Sequence, residues 1–263
     1  MLVFCSLIGT SRLLIHKLIT QIIKRTWRQT FSMQLREISL QTKNVSAVYN
    51  FYASVLGLPV FEDSKRMTVT AGSTTLHFDA AIDSEPYYHF AFNIPSTKIE
   101  EAARWLLGKV ELLWIDEYQS EIAEFTTWNA RSVYFFDAAG NIVEFIARAD
   151  LNDHPAEAFS AAQIRSASEI GLVFPAEQFE EKVNELMQRF QLKYFSKQPP
   201  MKHFRALGDD EGVFIVVPEK RNWYPTNIAG GIFPGSRKQQ EECNSCIDDQ
   251  QLHADLIAAK HGF

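Results

Sequence analysis

Four side chains stand out because they interrupt apolar, strand-like segments. They are Glu37 in LREISLQ (35–41), His77 in TTLHF (74–78), His89 in HFAFNI (89–94) and Glu144 in IVEFIA (142–147). An imidazole with carboxylates can hold a divalent cation such as Fe, Mn, Ni or Zn, or move a proton. Each residue also has a plainer use, as a solvated acid on an alternating strand or as a hydrogen-bonded core histidine. Arg131 precedes the last of these strands. If it shares their side, its guanidinium would hold an anionic substrate group or neutralise the acids.

The elements around these residues decide between such uses. LREISLQ alternates, with Ile38 and Leu40 on one face and Glu37, Ser39 and Gln41 on the other. Val45, Val48, Tyr49, Tyr52 and Leu56 then form a helical stripe that ends at Gly57. Two short strands, 67–71 and 74–78, close the unit at Gly72-Ser73. The order recurs from HFAFNI, with a helix through Ile99, Ala103, Leu106 and Leu107, then strand-like VELLWI (110–115), EFTTW (124–128), SVYFF and IVEFIA. SEIGLVF (168–174) opens a third copy, with a helix from about Ala176 to Phe190 and a hairpin closing in VFIVV. Each copy reads as a βαβββ unit or most of one. A helix that covers one sheet face leaves the other open, and Glu37, His77, His89 and Glu144 all have the parity of the open face.

These units resemble the vicinal oxygen chelate superfamily, which includes glyoxalase I, fosfomycin- and bleomycin-resistance proteins and extradiol dioxygenases. The residues that carry the resemblance are Glu37-Ile-Ser-Leu, the helix end Asn50-Phe-Tyr-Ala-Ser-Val-Leu-Gly-Leu58, Tyr88-His-Phe-Ala-Phe92 and the hairpin Phe136-Asp-Ala-Ala-Gly-Asn-Ile-Val-Glu-Phe145. The resemblance implies an α+β fold in which two βαβββ modules pair into a U-shaped mixed sheet around one divalent metal. It places the domain at 34–150, with a further half-domain at 163–227. Its ligand positions fall on Glu37, His89 and Glu144, with a fourth near His77, and Glu37 and Glu144 are the carboxylates for proton transfer. Glu37 departs from the commoner His, which weakens the case for ring cleavage. In the third unit Glu169 has the ligand phase, but Val216 stands where Glu144 would, counted from the turn glycine, so a second complete site is not expected. That unit is expected to pack as a half-domain or to help close the cavity or a homodimer. The implied function is metal-chelating lyase, isomerase or dioxygenase-like chemistry on a small molecule with adjacent oxygens. The alternative is a metal-free small-molecule binder of the bleomycin-resistance kind.

Composition sets the outer bounds. The 263-residue chain is 46% hydrophobic and 22% charged with a net charge of −6, which argues against nucleic acid as the partner. Cys5, Cys243 and Cys246 lie near the termini, so no disulfide framework is expected, and a reducing cytoplasm fits. Residues 1–33 hold five basic and no acidic residues. They read as an extension beyond the fold or as a transit-like amphipathic segment, too short and polar for a membrane span. Residues 228–263 read as a polar tail, and the spacing of Cys243, Cys246, His253 and His261 fits no common zinc motif.

Overall fold

The computed structural model describes residues 32–63 and 66–233. Nearly all of the basic N-terminal stretch lies outside the described residues, as does the tail from 234 with its cysteines and histidines. No helix among the described residues is long and apolar enough to cross a membrane.

Three modules follow one another. The first comprises β1 (Glu37–Thr42), α1 (Val45–Asn50), β2 (Val60–Glu62), β3 (Arg66–Ala71) and β4 (Thr74–Ala80). Asn44 starts α1 by accepting the Ala47 amide at 2.9 Å, and the helix continues through a π turn, Phe51–Val55. The second has β5 (His89–Ile94), α2 (Ile99–Leu106), β6 (Ile122–Phe125), β7 (Ala130–Phe136) and β8 (Ile142–Arg148). The third has β9 (Ser166–Phe174), α3 (Phe179–Phe190), β10 (Arg205–Asp209) and β11 (Gly212–Pro218). VELLWI, expected as a strand, makes only isolated bridges at Leu112 and Ile115, and Trp114 points to solvent.

The pairing of modules differs from the expected one. The first forms a four-stranded sheet of its own, β1-β4-β3-β2, while the second and third share a seven-stranded sheet, β10-β11-β9-β5-β8-β7-β6. At the joint β5 runs parallel to β8 and antiparallel to β9. One face of the larger sheet is a helix-covered core that includes Phe90, Phe92, Val143, Phe145 and Phe214. The opposite parity, Ala91, Ile142, Ile146, Val213 and Ile215, forms a second core under an aromatic roof.

The smaller sheet is tied to β9 through backbone contacts. Leu35 bridges Ala167, and the Thr74 hydroxyl donates to the Leu35 carbonyl at 2.6 Å while accepting the Ala167 amide at 2.8 Å. The adjoining turn residue Gly72 has φ +59°, and a Cβ there would lie 1.9 Å from the Arg165 carbonyl oxygen. Backbone cannot swing aside as a side chain does. Gly72→Ala is therefore expected to destabilise the protein by at least about 1–3 kcal/mol, the cost of the left-handed conformation alone. A lower midpoint in urea unfolding checks this, and an unchanged midpoint would contradict the joint described.

Candidate metal centre

Strand register creates the site. Glu144 on β8 and Glu169 on β9 both stand opposite Ala91 on the intervening β5. Ala91 has only a methyl group, so the two carboxylates flank an open notch. His89, two residues before Ala91, shares its face. One donor atom from each of His89, Glu144 and Glu169 lies within 4.8 Å of the others. All three are buried: 6% of His89, 2% of Glu144 and 4% of Glu169 remain exposed.

The hairpin 135–147 builds the β8 side. Asp137 accepts hydrogen bonds from the amides of Ala139 and Asn141, both at 2.9 Å, and from the Asn141 side chain at 2.8 Å. The Tyr52 hydroxyl on the π turn also donates to it, at 2.9 Å. Of the two residues suited to left-handed geometry, only Gly140 adopts it, at φ +79°. Asn141 instead accepts the Tyr88 amide at 2.8 Å, which fixes β5 against the hairpin next to His89.

Charge and tautomer follow from these contacts. His89 Nδ1 lies 3.1 Å from the Ile142 carbonyl. A carbonyl only accepts, so Nδ1 carries the proton and the Nε2 lone pair is left for the site. Burial lowers the imidazole pKa to about 4; the Ile142 carbonyl opposes the shift and Arg221 reinforces it. Burial, and then repulsion from Glu169, raise Glu144 to about 8, and Ser132, Arg148 and Tyr134 offset only part of the rise. Burial also pushes Glu169 up, but the buried Arg148 pulls it back by charge and by a hydrogen bond from Nη2. Without a cation, Glu144 is therefore the carboxylate that keeps its proton at neutral pH.

Arg148 is fully buried, with Nε on Asn93 Oδ1 at 3.2 Å and its guanidinium 5.3 Å from the Trp128 ring centre. A cavity of about 250 Å³ opens above the triad. Its walls include Phe125, Trp128, Tyr134, Phe204, Trp223 and Tyr224. Trp223 lies 5.3 Å from the His89 ring because Gly171 lets it approach: a Cβ there would be 2.5 Å from the indole edge.

Of the residues singled out in the sequence, the structure brings His89 and Glu144 together. Glu37 is not in this group: it lies on β1 in the other sheet, opposite Thr75. His77 lies on β4 of that same sheet, with Nδ1 3.1 Å from the Thr68 hydroxyl. Arg131 has the opposite parity to Ser132 and Tyr134 and pairs with Glu100 of α2 at 2.5 Å, away from the cavity. The cavity's basic side chain is instead Arg221. Val216 falls in the helix-covered core, and Ile215 occupies the open face of β11. Glu169 showed the ligand phase in the sequence, but nothing there revealed that its strand would pair with β5. Arg221, Trp223 and Tyr224 follow the last strand and carried no periodic signal.

The donor set fits a divalent cation. One neutral imidazole with two carboxylates suits a first-row metal or zinc. His89 Nε2 is 3.6 Å from Glu144 Oε2, too long for a hydrogen bond. It is, however, the spacing of two donors each about 2 Å from one ion.

The chain is similar in fold to several solved structures at low identity. A proposed dioxygenase from Bacillus subtilis matches at 16% identity with a TM-score of 0.49, over 71% of this chain and 64% of that one. The chain thus spans just under two thirds of that protein's length. A lactoylglutathione lyase from Agrobacterium tumefaciens matches at 19% identity and TM-score 0.35, over 42% of this chain and 90% of that one. The fosfomycin resistance protein FosX from Listeria monocytogenes, solved as a mutant with Mn(II) and a dihydroxypropylphosphonic acid, matches at 18% identity and TM-score 0.34, over 43% and 87%. No family model and no curated protein matches the chain.

The two shifted groups give the metal-free protein a distinctive pH profile. In the unfolded chain Glu144 ionises near 4.3 and His89 near 6.5. Between these values folded and unfolded states bind about equal numbers of protons at the two sites, so their contribution to stability is flat. From about pH 6.5 to 8 only folded Glu144 retains a proton, and stability falls as pH rises. Below about 4.3 unfolded Glu144 also takes up its proton, so the unfolded chain holds one more than the folded one until folded His89 ionises near 4, and this second loss is small. Urea unfolding of chelator-treated protein should show the loss between pH 6.5 and 8, and Glu144→Gln should remove it. An equal loss in the variant would contradict the assignment.

Proposed function

We propose that the protein binds one divalent metal through His89, Glu144 and Glu169 and uses it on a small molecule with adjacent oxygens. The observation that carries this is the convergence of three buried donors on the open face of a sheet, beneath a cavity. The resemblance of the βαβββ units to vicinal oxygen chelate proteins supports a lyase, isomerase or dioxygenase-like reaction. When bound, the metal would supply Lewis-acid stabilisation of negative charge on chelated substrate oxygens.

The chain's own residues contribute the rest. The Ile142 carbonyl fixes the His89 ring so that Nε2 faces the carboxylates. Arg148 pairs with Glu169 and orients it, a positioning role. In the metal-free protein Glu144 keeps a proton near neutral pH, which binding of a cation would displace. The roof of Trp223, Phe204 and Tyr224 limits access of water. A second reading, metal-free capture of a planar ligand, rests on the aromatic lining of the same cavity.

Metal analysis after expression with ample metal tests the proposal. About one equivalent is expected, lost in His89→Ala, Glu144→Ala and Glu169→Ala and retained in Glu37→Ala. Arg148→Met should weaken affinity about 10–100-fold without removing a ligand. Metal-free wild-type protein would favour the second reading. Loss in Glu37→Ala with retention in Glu169→Ala would contradict the ligand set.

A further inference from the structure

Arg221 is the one guanidinium or ammonium side chain among the described residues that line the cavity. Its backbone is fixed after β11: the carbonyl accepts the Gly230 amide at 2.7 Å and the amide donates to Pro218 at 3.4 Å. Its guanidinium carbon lies 5.0 Å from the Phe204 ring centre, so the plane of the group is braced on an aromatic wall. Nη1 donates to the Asn222 carbonyl at 3.3 Å, a single weak contact. Among the described residues no carboxylate lies within ion-pair distance of it. Burial lowers its pKa, as expected for a cation drawn from water without a counter-ion. The acids lining the cavity have other partners: Glu169 pairs with Arg148, and Glu144 Oε2 lies 3.6 Å from His89 Nε2. The Tyr224 hydroxyl on the same wall is shut off from solvent and has no hydrogen-bond partner among the described residues.

Arg221 is half-buried, so its guanidinium is partly hydrated yet faces the cavity with donors free to meet an anionic group. We propose that the ligand is a small planar anion, its ring held by the aromatic walls and its carboxylate or similar group taken by Arg221. The cavity, at about 250 Å³, is slightly smaller than typical drug-sized sites of about 300–1,000 Å³, which limits the body to about one ring. Guanidinium presents a planar fork that a carboxylate can meet with two hydrogen bonds. This inference rests on the proposed metal site only for the opposite end of the ligand, where adjacent oxygens would reach the triad. Arg221 is thus a specificity-determining residue.

The test compares 3,4-dihydroxybenzoate with 3,4-dihydroxybenzamide, which share ring and adjacent oxygens and differ in charge. Binding to the full chain is read by quenching of the cavity tryptophans, with and without Zn(II). Wild-type protein should prefer the acid by about 10–100-fold, the effect of one charge-assisted contact. Arg221→Gln should bring the ratio near one, chiefly by weakening binding of the acid. A wild-type ratio near one overturns the inference whether or not the variant folds, and so does an undiminished ratio in Arg221→Gln. Failure of the metal site gives a different pattern: Zn(II) then changes neither affinity, while the preference for the acid still depends on Arg221.

Discussion

The site depends on one ion pair, Arg148 with Glu169, set where the second and third modules meet. A guanidinium with none of its surface exposed is stable only if its charge and donors are met. Glu169 from β9 meets the charge and Asn93 from β5 accepts from Nε, while Nη1, 3.5 Å from Asp210 in the β10–β11 turn, makes no hydrogen bond among the described residues. Lys197 reaches the same Asp210 at 2.7 Å and also pairs with Asp150. Three strands, the β10–β11 turn and the segments of Lys197 and Asp150 are therefore joined by one charge network. Removing Arg148 leaves Glu169 buried and unpaired beside Glu144, a loss of about 3–5 kcal/mol by analogy with broken buried pairs.

That network explains why the two carboxylates can share a notch. Side by side and unpaired, they would repel and both take up protons. Arg148 hydrogen-bonds Glu169 but only partly offsets the rise at Glu144 by charge, so the two environments differ. The asymmetry leaves one carboxylate paired with a guanidinium, one proton-bearing acid and one neutral imidazole around a common point. Such a set is poised for a cation, whose binding would displace the Glu144 proton.

Much of this was legible in the sequence, because parity along a strand is a local property. Glu144 between Val143 and Phe145 had to face away from the helix-covered core, and it does. Which modules pair is not local, and this is why Glu37 was expected where Glu169 stands. Parity also slips at turns. The β7–β8 turn spans Asp137 to Asn141, whereas β10 and β11 meet in a tight turn with Asp209 opposite Gly212. Counting from the glycine therefore shifted Val216 onto the wrong face. Arg131 failed for a related reason: pairing of Ala130 with Arg148 sets a register in which Ser132 and Tyr134 take the open face. The cavity's roof follows the last strand, where no periodicity marks a side chain's direction.

The most direct measurement is an anomalous-scattering map from crystals of the protein grown with Zn(II). The account predicts a single strong peak about 2.0–2.2 Å from His89 Nε2 and from one oxygen each of Glu144 and Glu169. A peak at Glu37, or crystals with full metal supply and no peak at the triad, would contradict it.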